Sequence, residues 1–264
     1  MDITQTITLA LIQGLTEFLP ISSSAHLVIL PKFLDWPDQG LAFDVVLHFA
    51  TLCAIIFYYR TTLVVISKDF FSSIVNRRLE GEAMLAWAIL LGTIPVGLTG
   101  ILFEDYIESN FRSYHVVAFA TIFFGILLGF SDWIQKTIGK SRDFIRGSDI
   151  LIVGCFQALA LIPGVSRSGI TITAALFIGL SRALSIKYAF LLSIPVITLA
   201  TLLKTFELST VASQVDWTLL LMGFIIAFIA AYTTIVLFIR LVERIGFMPF
   251  VIYRILLGAL LFLL

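Results

Sequence analysis

Apolar residues run in long blocks along this chain, and polar residues break some of the blocks from within. The apolar segments are 3–19, 25–34, 41–59, 83–103, 114–130, 150–162, 170–180, 183–203, 217–239 and 247–264. About 20 residues of helix cross a bilayer. Six segments approach that length. The segments 3–19, 25–34, 150–162 and 170–180 are too short or are interrupted. These four form two consecutive pairs, each joined at a polar turn containing proline: Pro20-Ile-Ser-Ser-Ser24 and Pro163-Gly-Val-Ser-Arg-Ser168. Short, broken segments of this kind predict two re-entrant helical hairpins. Backbone that is not helical at membrane depth is tolerated only where protein buries it or a wet cavity receives it.

The two turns belong to an internal repeat. A shift of 144 brings Gln13 onto Gln157, Leu15 onto Leu159, Ser22 onto Ser166 and Ser24 onto Ser168, while Pro20 and Pro163 miss each other by one position. Three long segments follow each short pair. One hairpin and three crossings per repeat invert the second repeat relative to the first, as in secondary transporters whose broken helices line a central site. The expected fold is an all-α polytopic membrane protein with six transmembrane helices plus two re-entrant hairpins. It forms a single integral membrane domain over 1–264, with repeats at about 1–130 and 145–264.

Composition sharpens this reading. Hydrophobic residues make up 59% of the 264 and charged residues only 13%, against about a quarter in soluble domains. That excludes an ordinary soluble protein. A β-barrel is excluded because it needs alternating segments of about ten residues. The formal net charge is zero, so nothing points to nucleic acid. Cys53 and Cys155 lie within apolar runs and read as packing residues. The N-terminal stretch has no basic region and is interrupted by Gln13 and Glu17, so it is not expected to be a cleaved signal peptide.

Charge also orients the chain. The loop 60–82 carries Arg60, Lys68, Arg77 and Arg78, and the loop 131–149 carries Lys136, Lys140, Arg142 and Arg146. The loop 104–113 is acidic, with Glu104, Asp105 and Glu108 against Arg112, and the loop 204–216 is poor in Lys and Arg. The positive-inside rule puts the first two in the cytoplasm and the other two outside. Both termini are then expected outside.

The polar tips carry the candidate chemistry. Each second half-helix starts at a serine, a preferred N-cap, and two helix N-termini facing one cavity attract an anion. Arg167, beside Ser166 and Ser168, adds a permanent charge with planar donors suited to phosphate. Glu17 lies one turn after Gln13. A buried carboxylate there can bind a divalent cation, act as a base, or pair with Arg167. His26, three residues after Ser23, can serve as nucleophile or as general acid or base. Serines in membrane helices ordinarily serve packing, and a Glu–Arg pair can be purely structural. The convergence of all these groups on repeat-related tips favours phosphoryl chemistry. Asp44 reads as belonging to a helix start, and His48 as structural. Arg254, inside the last apolar run, reads as structural with a supporting role open.

The segments "QGLTEFLPISSSAHL" (13–27) and "PGVSRSGIT" (163–171) resemble the two signature motifs of the undecaprenyl-diphosphate phosphatase family of the bacitracin-resistance type. "LAFDVVLHFATLCAI" and "MPFVIYRILLGALL" resemble it as well. The first motif follows a Glu/Gln-x-x-x-Glu pattern with Gln13 as its amide option. The second fits PGxSRSxxT at every fixed position. The resemblance implies hydrolysis of undecaprenyl diphosphate in a bacterial inner membrane, at a site facing the periplasm. It implies dependence on a divalent cation, Mg²⁺ or Ca²⁺. Bacitracin would compete by binding the lipid substrate, and a homodimer is allowed. Carried over residue by residue, the functional set is Glu17, Ser23, His26, Ser166, Arg167 and Thr171. Phosphate binding would draw on Ser22, Ser24, Gly164, Ser166, Arg167, Ser168 and Thr171, and cation binding on Glu17 with Gln13. The nucleophile stays open between His26, Ser23 and water. The competing class is transport, a flippase for the phosphorylated carrier lipid. The Glu17/His26 pair argues against it, since binding alone needs no acid–base group.

Overall fold

Backbone groups in hydrocarbon must satisfy one another, and helices do so within a single segment. A computed structural model describes residues 1–111, 113–210 and 216–263 of the chain and shows this outcome throughout. The helices are α1 (Ile3–Thr16), α2 (Ser23–Phe33), α3 (Leu41–Tyr58), α4 (Arg60–Asn76), α5 (Ala83–Asn110), α6 (Tyr114–Ile138), α7 (Gly147–Ala158), α8 (Arg167–Phe177), α9 (Arg182–Thr210), α10 (Trp217–Ile245) and α11 (Met248–Phe262). A single 3-10 turn, Leu159–Leu161, extends α7.

Five helices, α3, α5, α6, α9 and α10, are long and apolar enough to cross a membrane, while α11 has 15 residues. The surface is correspondingly apolar. Leu98, Ile101, Leu102, Phe206 and Leu256 are all more than half exposed. The chain is therefore a polytopic helical membrane protein.

The helices outrun the apolar segments, and this corrects several predicted loops. Most of 60–82 is α4, not loop. Tyr59 donates its N–H to Ile55 O and accepts from Leu63 N, so the hydrogen-bond ladder continues from α3 into α4. Interleaved charges in 60–76 hid a helix whose Ile66 and Ser73 are buried. Likewise α5 runs on to Asn110, α6 to Ile138 and α9 to Thr210. Polar residues do not end a helix once it leaves the hydrocarbon. The side chains of Glu104, Asp105 and Glu108, residue Arg112 and residues 211–215, on which part of the expected orientation rests, lie outside the described residues.

The short helices are wedged among the long ones. α1 packs on α10, α7 on α5, α6 on α11 and α3 on α9, and α8 fits between α6, α7 and α9. Close approach of α1 and α10 depends on Gly14. A Cβ there would meet Ala230 Cβ at 2.6 Å and Ala227 O at 2.7 Å. The backbone atoms at this crossing cannot yield as a side chain can. Gly14→Val is expected to cost about 1–3 kcal/mol by overpacking, seen as a lower thermal midpoint in detergent. Gly97→Ala, where a Cβ meets nothing within 4 Å, should leave the midpoint unchanged.

Candidate active site

The first tip is the turn from Glu17 to Ser22, between α1 and α2. Phe18 and Ile21 are buried and anchor it, with the Phe18 ring 5.3 Å from Phe190 of α9. The second tip runs from Ile162 to Ser166. Each tip ends at a serine with φ of 71°, Ser22 before α2 and Ser166 before α8. A left-handed serine is uncommon, and two at positions 144 apart indicate that the starts of α2 and α8 are held by their surroundings. Each serine also pairs with the second serine along, Ser22 with Ser24 at 3.2 Å and Ser166 with Ser168 at 3.3 Å.

Glu17 joins the tips. Its Oε1 accepts from Arg167 Nη2 at 2.6 Å. Its Oε2 accepts from Ser23 Oγ at 2.6 Å and from Gln13 Nε2 at 3.0 Å. The carboxylate is buried, at 6% side-chain exposure. Two atoms at this cluster stay unmatched: Arg167 Nη1 and Gln13 Oε1 are buried without a hydrogen-bond partner. A buried donor without a partner costs about 1–3 kcal/mol, so each marks a position where a ligand would be favoured. Ser168 Oγ donates to Leu19 O at 3.0 Å, a second bond between the tips.

The other sequence-predicted residues take different positions. Ser166 Oγ accepts from Gly169 N and caps α8. Thr171 Oγ1 donates to backbone carbonyls of its own helix, at Arg167 and Ser168. Gly164 has φ of 94°, and a Cβ there would strike Val117 O at 2.5 Å, so its backbone lies directly on α6. His26 turns away from the carboxylate. Its Nδ1 donates to Ser22 O at 2.8 Å, and its Nε2 lies 2.6 Å from Tyr253 Oη on α11.

Two residues read as structural in the sequence belong to this site. His48, on α3, brings Nε2 to 4.0 Å from Glu17 Oε2. Arg254, on α11, is fully buried. Its Nη1 donates to Pro20 O at 3.3 Å, its Nη2 to Gly164 O at 2.8 Å and Ala120 O at 3.4 Å, and its Nε to Thr121 O at 2.9 Å. One guanidinium thus grips both tips and α6. Glycines make room for the Arg254 side chain: a Cβ on Gly125 would lie 2.9 Å from its Cβ, and one on Gly169 would lie 2.9 Å from its Nη1. Their i, i+4 neighbours on the apolar strings gave no sign of these contacts. The only available signal was a single ionisable residue inside an apolar run.

The family model described as bacitracin resistance protein BacA matches residues 6–260. An undecaprenyl-diphosphatase of Ruthia magnifica subsp. Calyptogena magnifica is 55% identical over 262 residues, covering 99% of this chain and 98% of that protein. Undecaprenyl-diphosphatase 2 of Stutzerimonas stutzeri is 50% identical over 266 residues, covering 100% and 98%. An undecaprenyl-diphosphatase of Campylobacter concisus is 50% identical over 261 residues, covering 99% and 98%.

The clamp is open to test. Arg254→Met removes the donor from four carbonyls and is expected to destabilise the protein by at least about 3 kcal/mol. Thermal unfolding in detergent should show a lower midpoint, with Arg254→Lys between it and the parent. A midpoint for Arg254→Met equal to the parent's would mean that the tips are held by other contacts.

Proposed function

The chain belongs to the bacitracin resistance protein BacA family, and from that membership and the geometry of the tips we propose that it is an undecaprenyl-diphosphate phosphatase of the bacterial inner membrane. It hydrolyses undecaprenyl diphosphate to undecaprenyl phosphate and inorganic phosphate. That returns the lipid carrier to cell-wall synthesis and depletes the lipid that bacitracin captures.

The observation that carries the mechanism is the shared carboxylate. Glu17 holds the phosphate clamp Arg167 with one oxygen and the hydroxyl of Ser23 with the other. Arg167 Nη1, buried and unmatched, is free to bind a phosphate oxygen, and the N-terminal ends of α2 and α8 add their dipoles. The geometry favours Ser23 over His26 as nucleophile, because His26 has both ring nitrogens engaged by Ser22 and Tyr253. As Ser23 Oγ attacks the terminal phosphorus, its proton passes to Glu17 Oε2, the phosphoanhydride bond breaks, and undecaprenyl phosphate leaves. Water then hydrolyses the phosphoserine, releasing inorganic phosphate and restoring the hydroxyl. An activated nucleophile bonded to a base is the general requirement of this chemistry.

The residues present also suit a divalent cation, Mg²⁺ or Ca²⁺. Glu17 contributes a carboxylate, and Gln13 Oε1 is an oxygen with no partner; both are hard donors of the kind such ions take. When bound, the ion would supply positive charge against the diphosphate oxygens.

The inverted repeat accounts for the packing. Under it α1 corresponds to α7 and α10 to α5, and the two pairs α1–α10 and α7–α5 pack alike. α1, α2, α7 and α8 have 14, 11, 12 and 11 residues, which suits re-entrant hairpins beside six crossings. The basic ends cluster as the cytoplasmic face requires. Asp132 binds both Lys136 and Arg182, and Arg142 binds Asp149. His48 lies two turns from the opposite end of α3, a position that supports access from the periplasmic side. An apolar cleft of about 180 Å³, lined by His26, Ile29, Leu30 and Leu257 among others, offers the prenyl chain a way into lipid.

Phosphate release from a C15 or C55 prenyl diphosphate by the purified protein tests the reading. Glu17→Ala, Ser23→Ala and Arg167→Ala, each of verified folding, should lose about 10²-fold or more, the scale set by removing one group that stabilises transition-state charge. EDTA should suppress release. Near-parental turnover by Arg167→Ala would sink the phosphate clamp, and by Ser23→Ala the serine nucleophile.

A further inference from the structure

α11 meets the first tip through two successive residues. Arg254 donates to Pro20 O, inside the turn. Tyr253, its neighbour, brings Oη to 2.6 Å from His26 Nε2, in the first turn of α2. The other His26 nitrogen completes a chain, with Nδ1 2.8 Å from Ser22 O. A carbonyl only accepts, so Nδ1 carries a proton. In the neutral ring Nε2 is then a lone pair, and Tyr253 Oη is its donor. Every bond thereby has a direction: the tyrosine hydroxyl donates to the histidine, and the histidine donates to the Ser22 carbonyl.

The second tip shows what this chain replaces. Ser22 and Ser166 share a φ of 71°. Ser166 secures the start of α8 by itself, since its Oγ accepts from Gly169 N at 3.2 Å and its O accepts from Ile170 N at 2.9 Å. Ser22 makes no side-chain cap hydrogen bond. The position 144 after His26 is Ile170, whose side chain carries no polar atom. The start of α8 is therefore held by its own residues, and that of α2 by a histidine braced from α11. A serine at positive φ persists only where its surroundings over-determine it. Ser22 immediately precedes Ser23, whose Oγ donates to Glu17 Oε2 at 2.6 Å. A change in the Ser22 peptide redirects that hydroxyl. Burial does not force the tyrosine bond, because Tyr253 is 41% exposed. A phenylalanine would fill the same space and lose only the donor.

We propose that Tyr253 is a positioning residue for the reaction: through His26 and the Ser22 carbonyl it holds the Ser23 hydroxyl on Glu17. Arg167 reaches Glu17 from α8 at 2.6 Å, outside this chain. Loss of the tyrosine hydroxyl therefore slows attack by Ser23 and leaves phosphate binding in place. A misplacement of the reacting atom by about 1 Å is enough for a large loss of rate. The inference rests on the phosphatase reading with Ser23 as nucleophile, but the hydrogen-bond chain itself is measurable without turnover.

The test uses the purified full-length protein in detergent, with its histidine rings labelled with ¹⁵N for magnetic resonance. The chain has three histidines, and His26→Ala assigns the His26 signals by their disappearance. The parent is expected to show His26 near neutral pH as a single tautomer, protonated at Nδ1. Tyr253→Phe should let both tautomers appear at His26, while the His48 and His115 signals stay in place. In phosphate release from a prenyl diphosphate, Tyr253→Phe should lower kcat about tenfold, the scale of one lost hydrogen bond, with KM within about twofold of the parent. A parent His26 ring protonated at Nε2 or at both nitrogens, an unchanged tautomer in Tyr253→Phe, a parental kcat in that variant, or a loss carried by KM would each overturn the proposal. The two readings fail separately. Release by the parent with no effect of Tyr253→Phe sinks only the positioning role, and absent release with the single tautomer intact sinks the phosphatase reading.

Discussion

A guanidinium with no carboxylate partner among the described residues sits at the centre of this molecule, and the tips depend on it. The irregular turns that follow α1 and α7 leave carbonyls outside any helix ladder, and buried carbonyls need donors. Arg254 takes those of Pro20 and Gly164 together, one from each tip, while bonding two further carbonyls on α6. This fixes the distance between the turns. It lets two serines remain left-handed, and it holds Glu17 and Arg167, 150 residues apart in sequence, at 2.6 Å. An arginine suits this work better than a lysine because its planar fork can serve four acceptors with little further loss of freedom.

The two halves of the site are alike in scaffold and unlike in chemistry. Ser23 and Arg167 are 144 residues apart and each is the first residue of its half-helix. Both reach Glu17, one at each oxygen. The position 144 after Glu17 is Leu161, so the carboxylate has no counterpart. Gln13 and Gln157 have diverged as well. Gln13 bonds Glu17, whereas Gln157 donates to Gly92 O at 3.2 Å and secures the packing of α7 on α5. The first positions of α2 and α8 are thus two anchor points 144 residues apart, one carrying a hydroxyl and the other a cation.

Much of this was legible in the sequence because membrane burial makes polar residues conspicuous. Glu17, Ser23 and Arg167 stand out against apolar surroundings, and the turns containing Pro20 and Pro163 mark where the short helices stop. Residues whose role is set by distant contacts were not legible. Arg254 meets Pro20 across 234 positions, and His48 meets Glu17 only because α1 and α3 pack together. No local pattern encodes either contact. His26 has a partner that its spacing did not show. Its spacing from Ser22 and Ser23 put it on the right helix, but the ring points to Tyr253, since helical spacing fixes a face only to within a turn. Charged residues hid α4 and marked helix ends too early in α5, α6 and α9, because solvent-exposed helix tolerates charge as readily as loop does.

Charge balance explains why a site with two arginines is still short of positive charge. Glu17 neutralises one of Arg167 and Arg254, leaving a single net positive charge inside low-dielectric surroundings. Arg254 donates to carbonyls, so its donors are taken up by the turns and α6. A diphosphate ester carries more negative charge than one arginine balances. Binding it without further cations would leave an uncompensated anion buried, which is costly. The divalent ion proposed above would close that deficit. The same arithmetic stabilises the site as it stands, since the Glu17–Arg167 pair is self-compensated. The ion pair that joins the two tips leaves Arg167 Nη1 unmatched, the donor that the proposed function assigns to phosphate.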